Sequence, residues 1–188
     1  MSKKNANTNM EFSELIKIRQ SVRKYQDKLV EKEKIKKIIE AVRLAPSASN
    51  SQPWKLIIVD DPELKDKVAD ATFSKTIAFN KFVPQAPVIT VMVIEKPRLI
   101  TQIGGRIKNR EFPLIDIGIA AEHFCLQAAE LGLGTCILGW FNEKKVKELL
   151  QVPKTKRVPL LISLGYSEAR TRDKTRKSME EICSWNKY

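Results

Sequence analysis

Apolar and polar positions alternate along the chain in two different rhythms, and these rhythms outline the elements. Phe12, Leu15 and Ile16 suggest a first helix that ends near Arg19. Ile35, Ile38, Ile39 and Val42 follow the i, i+3, i+4, i+7 spacing of one buried helical face, with lysines on the other. Pro46 stops that helix, and 46–53 is a loop of small polar residues. Leu56–Val59 is an all-apolar run and reads as a strand buried on both faces, and Pro87–Ile94, apolar but for Thr90, reads as the second buried strand. Pro62–Ala71 reads as a helix between them. Residues 98–112 hold Gly104-Gly105 and no clear period, so they read as loop or a short, mobile helix.

Phe112–Gly132 is the apolar centre of the chain. On a helix, Asp116, His123, Gln127 and Glu130 fall on one narrow stripe, and the rest is apolar enough to be buried on most sides. Cys136–Leu138 and Val158–Leu164 read as two more strands, separated by an amphipathic helix at Glu143–Leu150. The tail 169–188 is basic and then amphipathic. Strands alternating with helices in this way predict an α/β or α+β three-layer domain. The expected organisation is a disordered lead over 1–10 followed by a single domain over 11–188.

The 188 residues carry 34 Lys and Arg against 22 Asp and Glu, a formal charge of +12. Such a surplus draws anions, including phosphate-bearing cofactors. The mixed-sign runs at 31–37 and 143–148 read as solvated helix faces. No basic tract has interleaved aromatics, so nucleic acid is not the expected partner. Uncharged stretches such as Leu131–Asn142 are too short and glycine-rich to cross a bilayer, so no membrane partner is expected. Three cysteines without a CxxC pair argue for a reducing, cytoplasmic setting and read as packing residues. A single histidine excludes a His-rich metal site, and His123 itself reads as a hydrogen-bonded core or interface residue.

Three segments can carry chemistry. In Arg19-Gln-Ser-Val-Arg23, two guanidinium forks and a hydroxyl can gather around one phosphate, although surface ion pairing gives the same pattern. Ala45–Trp54 is a donor-rich loop between two prolines that can hydrogen-bond the edge of a heteroaromatic ring, or simply connect helix to strand. In Leu131–Trp140, Gly132 and Gly134 fit a helix C-cap and a tight turn into a strand. Gly139 can let a flat ring approach bare backbone N–H groups. These glycines follow a helix and precede a strand, the reverse of the dinucleotide-binding order.

Taken together, Ile18–Tyr25, Ala45–Trp54, Leu131–Cys136 and Leu164–Tyr166 resemble the flavin-dependent nitroreductase family in order and spacing. The resemblance runs from about Phe12 to the C-terminus. It implies an α+β, three-layer fold whose central, mainly antiparallel sheet is flanked by helices, in an intertwined homodimer with composite active sites. It also implies FMN as cofactor and NAD(P)H as electron donor. Arg19, Ser21 and Arg23 would hold the FMN phosphate, ribityl chain and pyrimidine edge, and Lys174 and Arg176 would add basic phosphate ligands. Pro46, Ser47, Asn50 and Gln52 would line the isoalloxazine from the other subunit, while Leu138 and Gly139 offer backbone N–H groups. No protein side chain need be catalytic, because the flavin carries the hydride step.

Ala48 stands where many members have Ser or Gly, and Leu29 replaces a frequent proline. The stretch between Val93 and Phe112 is short where longer members carry a helical excursion over the substrate. The implied activity is an oxidoreductase passing hydride by a ping-pong route to nitro compounds, quinones or similar small acceptors. The alternatives are a different flavin reaction on the same fold, such as dehalogenation or flavin fragmentation, and a basic non-catalytic flavin- or nucleic-acid-binding module.

Overall fold

A computed structural model describes residues 10–74, 78–96 and 110–188. Helix α1 spans Phe12–Ile18, α2 Lys32–Arg43, α3 Pro62–Asp70, α4 Phe112–Glu130, α5 Glu143–Leu149 and α6 Met179–Ile182. Strand β1 spans Trp54–Val59, β2 Val88–Ile94, β3 Gly134–Leu138 and β4 Leu160–Gly165. The strands form one sheet in the order β1-β2-β4-β3, antiparallel throughout. The expected lead over 1–10 and the 98–112 segment fall almost wholly outside the described residues. Among the described residues, no helix is long and apolar enough to cross a membrane.

The period of two along β2 explains the three layers. Ile89, Val91 and Val93 enter one core with Val68 of α3, Val146 of α5 and Leu161 of β4. Val88 and Met92 point the other way, into a core with Ile38 and Val42 of α2 and Ile117 and Phe124 of α4. A run that is apolar on both faces but for the buried Thr90 therefore marks a central strand sandwiched between helices. Phe124 is fully buried, and such a side chain contributes about 1.5–3 kcal/mol by leaving water.

Two expectations of burial need correcting. β1 lies at the sheet edge and is only half-buried over Leu56–Ile58, because one neighbour strand covers it. In α2, Ile35, Ile38 and Val42 are buried as the spacing predicts, but Ile39 is 37% exposed because it lies beyond the stripe that meets α4. α1 has no buried residue, and its Phe12 and Ile16 face outward.

The N-terminal arm is held to the far edge of the sheet. Val22 N donates to Thr135 O at 2.8 Å, beside a parallel bridge between Ser21 and Thr135. The buried Tyr25 hydroxyl pairs with Ser163 Oγ at 2.8 Å, and burial pushes its pKa well above the usual phenol range. Gly134 is needed where the arm crosses β3, since a Cβ there would lie 2.6 Å from Val22 Cγ2. Close approach, rather than the expected tight turn, accounts for this glycine. Gly132, with φ +74°, is the left-handed residue just past Leu131, the C-cap of α4, and ends the helix as expected.

Candidate active site

Arg19, Gln20, Ser21 and Arg23 line one wall of a cleft of about 350 Å³, and Arg172, Asp173, Lys174, Thr175 and Arg176 line the other. The sequence-predicted Arg19, Ser21, Arg23, Lys174 and Arg176 are thus brought together across more than 150 residues of chain. Arg19 is the C-cap of α1, so its side chain leaves the helix end beside Glu122 of α4, with Nε 3.6 Å from Glu122 Oε1. The Lys174 amine bonds to Ile16 O, at the same helix end.

Arg172 was not singled out by the sequence, and the structure makes it a strut of the cleft. Its Nη2 donates to Ser21 O at 2.9 Å, and its Nε donates to Gln20 Oε1 at 3.3 Å. Gln20 Nε2 returns a bond to Arg170 O at 3.0 Å. The signal available beforehand was the alternation of cations over 170–176, which sequence spacing alone cannot pair with Gln20.

Five of the cleft's side chains, Arg19, Arg23, Arg172, Lys174 and Arg176, are guanidinium or ammonium groups, and one titratable group registers this. The Lys174 amine is held below its ordinary pKa, first by desolvation and then by the nearby Arg19 and Arg176 cations, with Glu122 acting in the opposite sense. Cations gathered with few counter-charges are a receptor for an anion, and Arg forks with a serine hydroxyl suit a phosphate.

The loop residues Pro46, Ser47, Asn50 and Gln52 do not line this cleft. Their loop bends through a 3-10 turn, Ala48–Asn50, with left-handed φ at Ser49 (52°), Asn50 (50°) and Gln52 (46°). Gln52 N donates to Ser47 Oγ at 2.9 Å, and Gln52 Nε2 to Asn50 Oδ1 at 2.8 Å. Asp116 Oδ1 accepts from Ala48 N at 3.0 Å, so Asp116, which sequence reading places on a polar stripe, ties this loop to α4. Leu138 ends β3 and is buried, and Gly139 follows it, exposed and with open space where a Cβ would stand.

His123 is half-buried, with Nδ1 3.1 Å from Ala41 O; a carbonyl only accepts, so this nitrogen carries the proton. It is the hydrogen-bonded structural residue expected. Burial pushes the Cys125 thiol up to about 11. The Cys136 thiol is also raised, chiefly by burial, against the opposing pull of Arg23, Arg19 and Arg172. Both thiols stay protonated at neutral pH and act as packing groups. Cys183 does not: it is exposed, as are all its neighbours over 177–188.

A sheet flanked by helices, a cationic cleft that joins residues 19–23 to 172–176, and a strained polar loop define an α+β protein. A sequence profile of the Nitroreductase family matches residues 16–81 and 78–166. The chain belongs to the nitroreductase family. A crystal structure of a nitroreductase family protein from Clostridium novyi NT is 38% identical, with TM-score 0.75, covering 85% of this chain and 86% of that one. An FMN-dependent nitroreductase from Clostridium difficile R20291 is 30% identical, with TM-score 0.77, covering 93% and 98%. An oxygen-insensitive NADPH nitroreductase of Helicobacter pylori (strain ATCC 700392 / 26695) is 26% identical over 182 residues, 80% of this chain and 84% of that one.

Proposed function

We propose that this chain is an FMN-dependent oxidoreductase that takes hydride from NAD(P)H and passes it, by a ping-pong route, to nitro compounds, quinones or similar small acceptors. The observation that carries this reading is the cationic cleft of Arg19, Ser21, Arg23, Arg172, Lys174 and Arg176. Its charge and hydroxyl fit a phosphate monoester, and the similarity to an FMN-dependent enzyme supports that ligand. NAD(P)H as donor is supported by the NADPH-dependent relative. When bound, FMN supplies the two-electron chemistry. Arg19, Ser21 and Arg23 hold the phosphate, ribityl chain and pyrimidine edge, Arg172 fixes the Ser21 carbonyl and the Gln20 side chain behind them, and Asn50 and Gln52 line the isoalloxazine from the other subunit. Gly139 leaves its backbone bare for the ring.

The working unit is a homodimer with shared sites. Asp116, which ties the loop, and Glu122, which meets Arg19, are six residues apart on α4. At about 100° per residue, they stand on well-separated sides of the helix. One chain therefore offers its loop and its phosphate cleft to different sites. The outward Phe12, Ile16, Ile115, Met179, Ile182 and Trp185 are the surface a second copy would cover. The three free cysteines fit a reducing, cytoplasmic setting.

The FMN-loaded protein should oxidise NADH or NADPH faster when a nitroaromatic or a quinone is added, with parallel double-reciprocal lines as either substrate is varied. Rates no higher than the oxygen background with every acceptor would overturn the acceptor class. Converging lines would overturn the ping-pong route.

A further inference from the structure

Asp116 is 2% exposed, yet among the described residues only one of its carboxylate oxygens has a hydrogen-bond partner. Oδ1 accepts from Ala48 N at 3.0 Å, while Oδ2 is buried and finds no hydrogen-bond partner among the described residues. A half-satisfied buried carboxylate is costly, so its place in the core calls for a compensating role. Its neighbours on α4, Ile117 and Ala120, are buried in the core, which makes the carboxylate a fixed point. On the other side of the bond lies the most strained described backbone of the chain, with three side-chain-bearing residues within four positions at left-handed φ. Such conformations persist only where surrounding bonds over-determine them, and they gather at ligand-binding sites.

We propose that Asp116 is a positioning residue for the cofactor: its carboxylate holds the Pro46–Pro53 loop in its left-handed form before FMN arrives, so that Asn50 and Gln52 meet the ring already arranged. This rests on the FMN reading above. The bond is charge-assisted, which makes it stronger than a neutral anchor. Because the loop faces the ring and not the phosphate, loss of the anchor affects FMN and riboflavin alike.

Two variants test it. Asp116→Leu fills a similar volume with apolar atoms and removes the acceptor, and Asp116→Asn keeps an acceptor oxygen without the charge. In the flavin-free proteins, amide hydrogen exchange over 46–52 should rise about tenfold or more in Asp116→Leu, with exchange in α4 unchanged, and should stay within about threefold of wild type in Asp116→Asn. FMN and riboflavin affinities should both fall about tenfold in Asp116→Leu, leaving their ratio unchanged, with an altered visible circular dichroism of the bound flavin and no lower melting temperature. Asp116→Asn should restore most of the affinity. If Asp116→Leu does not fold, Asp116→Ala carries the same expectations apart from the melting temperature. Wild-type loop exchange and wild-type flavin affinities in the acceptor-free variant would overturn the proposal, as would loss of melting temperature alone. A wild-type protein that binds no flavin would instead overturn the FMN reading, and the exchange experiment would still decide the anchor.

Discussion

An Arg19→Ala, Arg23→Ala double variant should bind FMN about a hundredfold or more weakly than wild type while losing markedly less affinity for riboflavin. Each charge-assisted contact to a phosphate contributes roughly 1.5–3 kcal/mol, and every 1.4 kcal/mol is about tenfold in affinity. The two arginines share one cleft, so their effects will not add in full, and hundredfold is the lower end of the pair's range. Riboflavin lacks the phosphate, which makes it the internal control for damage elsewhere. Arg19 also faces Glu122, and its loss leaves that carboxylate partly exposed and able to find water, so folding should suffer little. Isothermal titration with both ligands, at fixed ionic strength, reads the difference. Equal weakening for both ligands would remove the phosphate role from these residues.

Mixing two inactive proteins should restore activity. The double variant above lacks the phosphate cleft, and an Asn50→Ala, Gln52→Ala variant lacks the amides of the loop. In a two-fold dimer with shared sites, a mixed dimer has one site carrying every lesion and one carrying none. Unfolding and refolding an equal mixture makes about half of the dimers mixed, hence about one quarter of wild-type activity. Sites built within one chain predict no recovery, because no mixed dimer would then contain an intact site. Activity that stays at the level of the separate variants despite confirmed subunit exchange would refute shared sites.

The elements were legible because burial writes itself into period. The two cores on either side of β2 follow from its alternate residues, and α2 and α4 from their apolar stripes. What a run of apolar letters does not reveal is how many strands flank it, which is why β1 reads as a buried strand and proves to be a half-covered edge. At the site, Arg19, Ser21 and Arg23 stood out because their spacing is local. Arg172 did not, since its bond to Ser21 O spans 151 positions. Asp116 was visible as a polar residue in an apolar helix, but only the fold shows that it meets Ala48 N. Gly134 looked like a turn glycine, and its real constraint, Val22 packed against it, comes from the other end of the chain.

The most direct test of the central claim is an anaerobic titration of the purified, FMN-loaded protein with NADPH and with NADH, followed by visible absorbance. The account predicts one FMN per subunit and complete bleaching of the flavin band by one equivalent of at least one of the two nucleotides. Colour should return on addition of a nitroaromatic or a quinone. A protein that takes up no FMN at the Arg19–Arg176 cleft, or whose bound flavin neither nucleotide reduces, would contradict it.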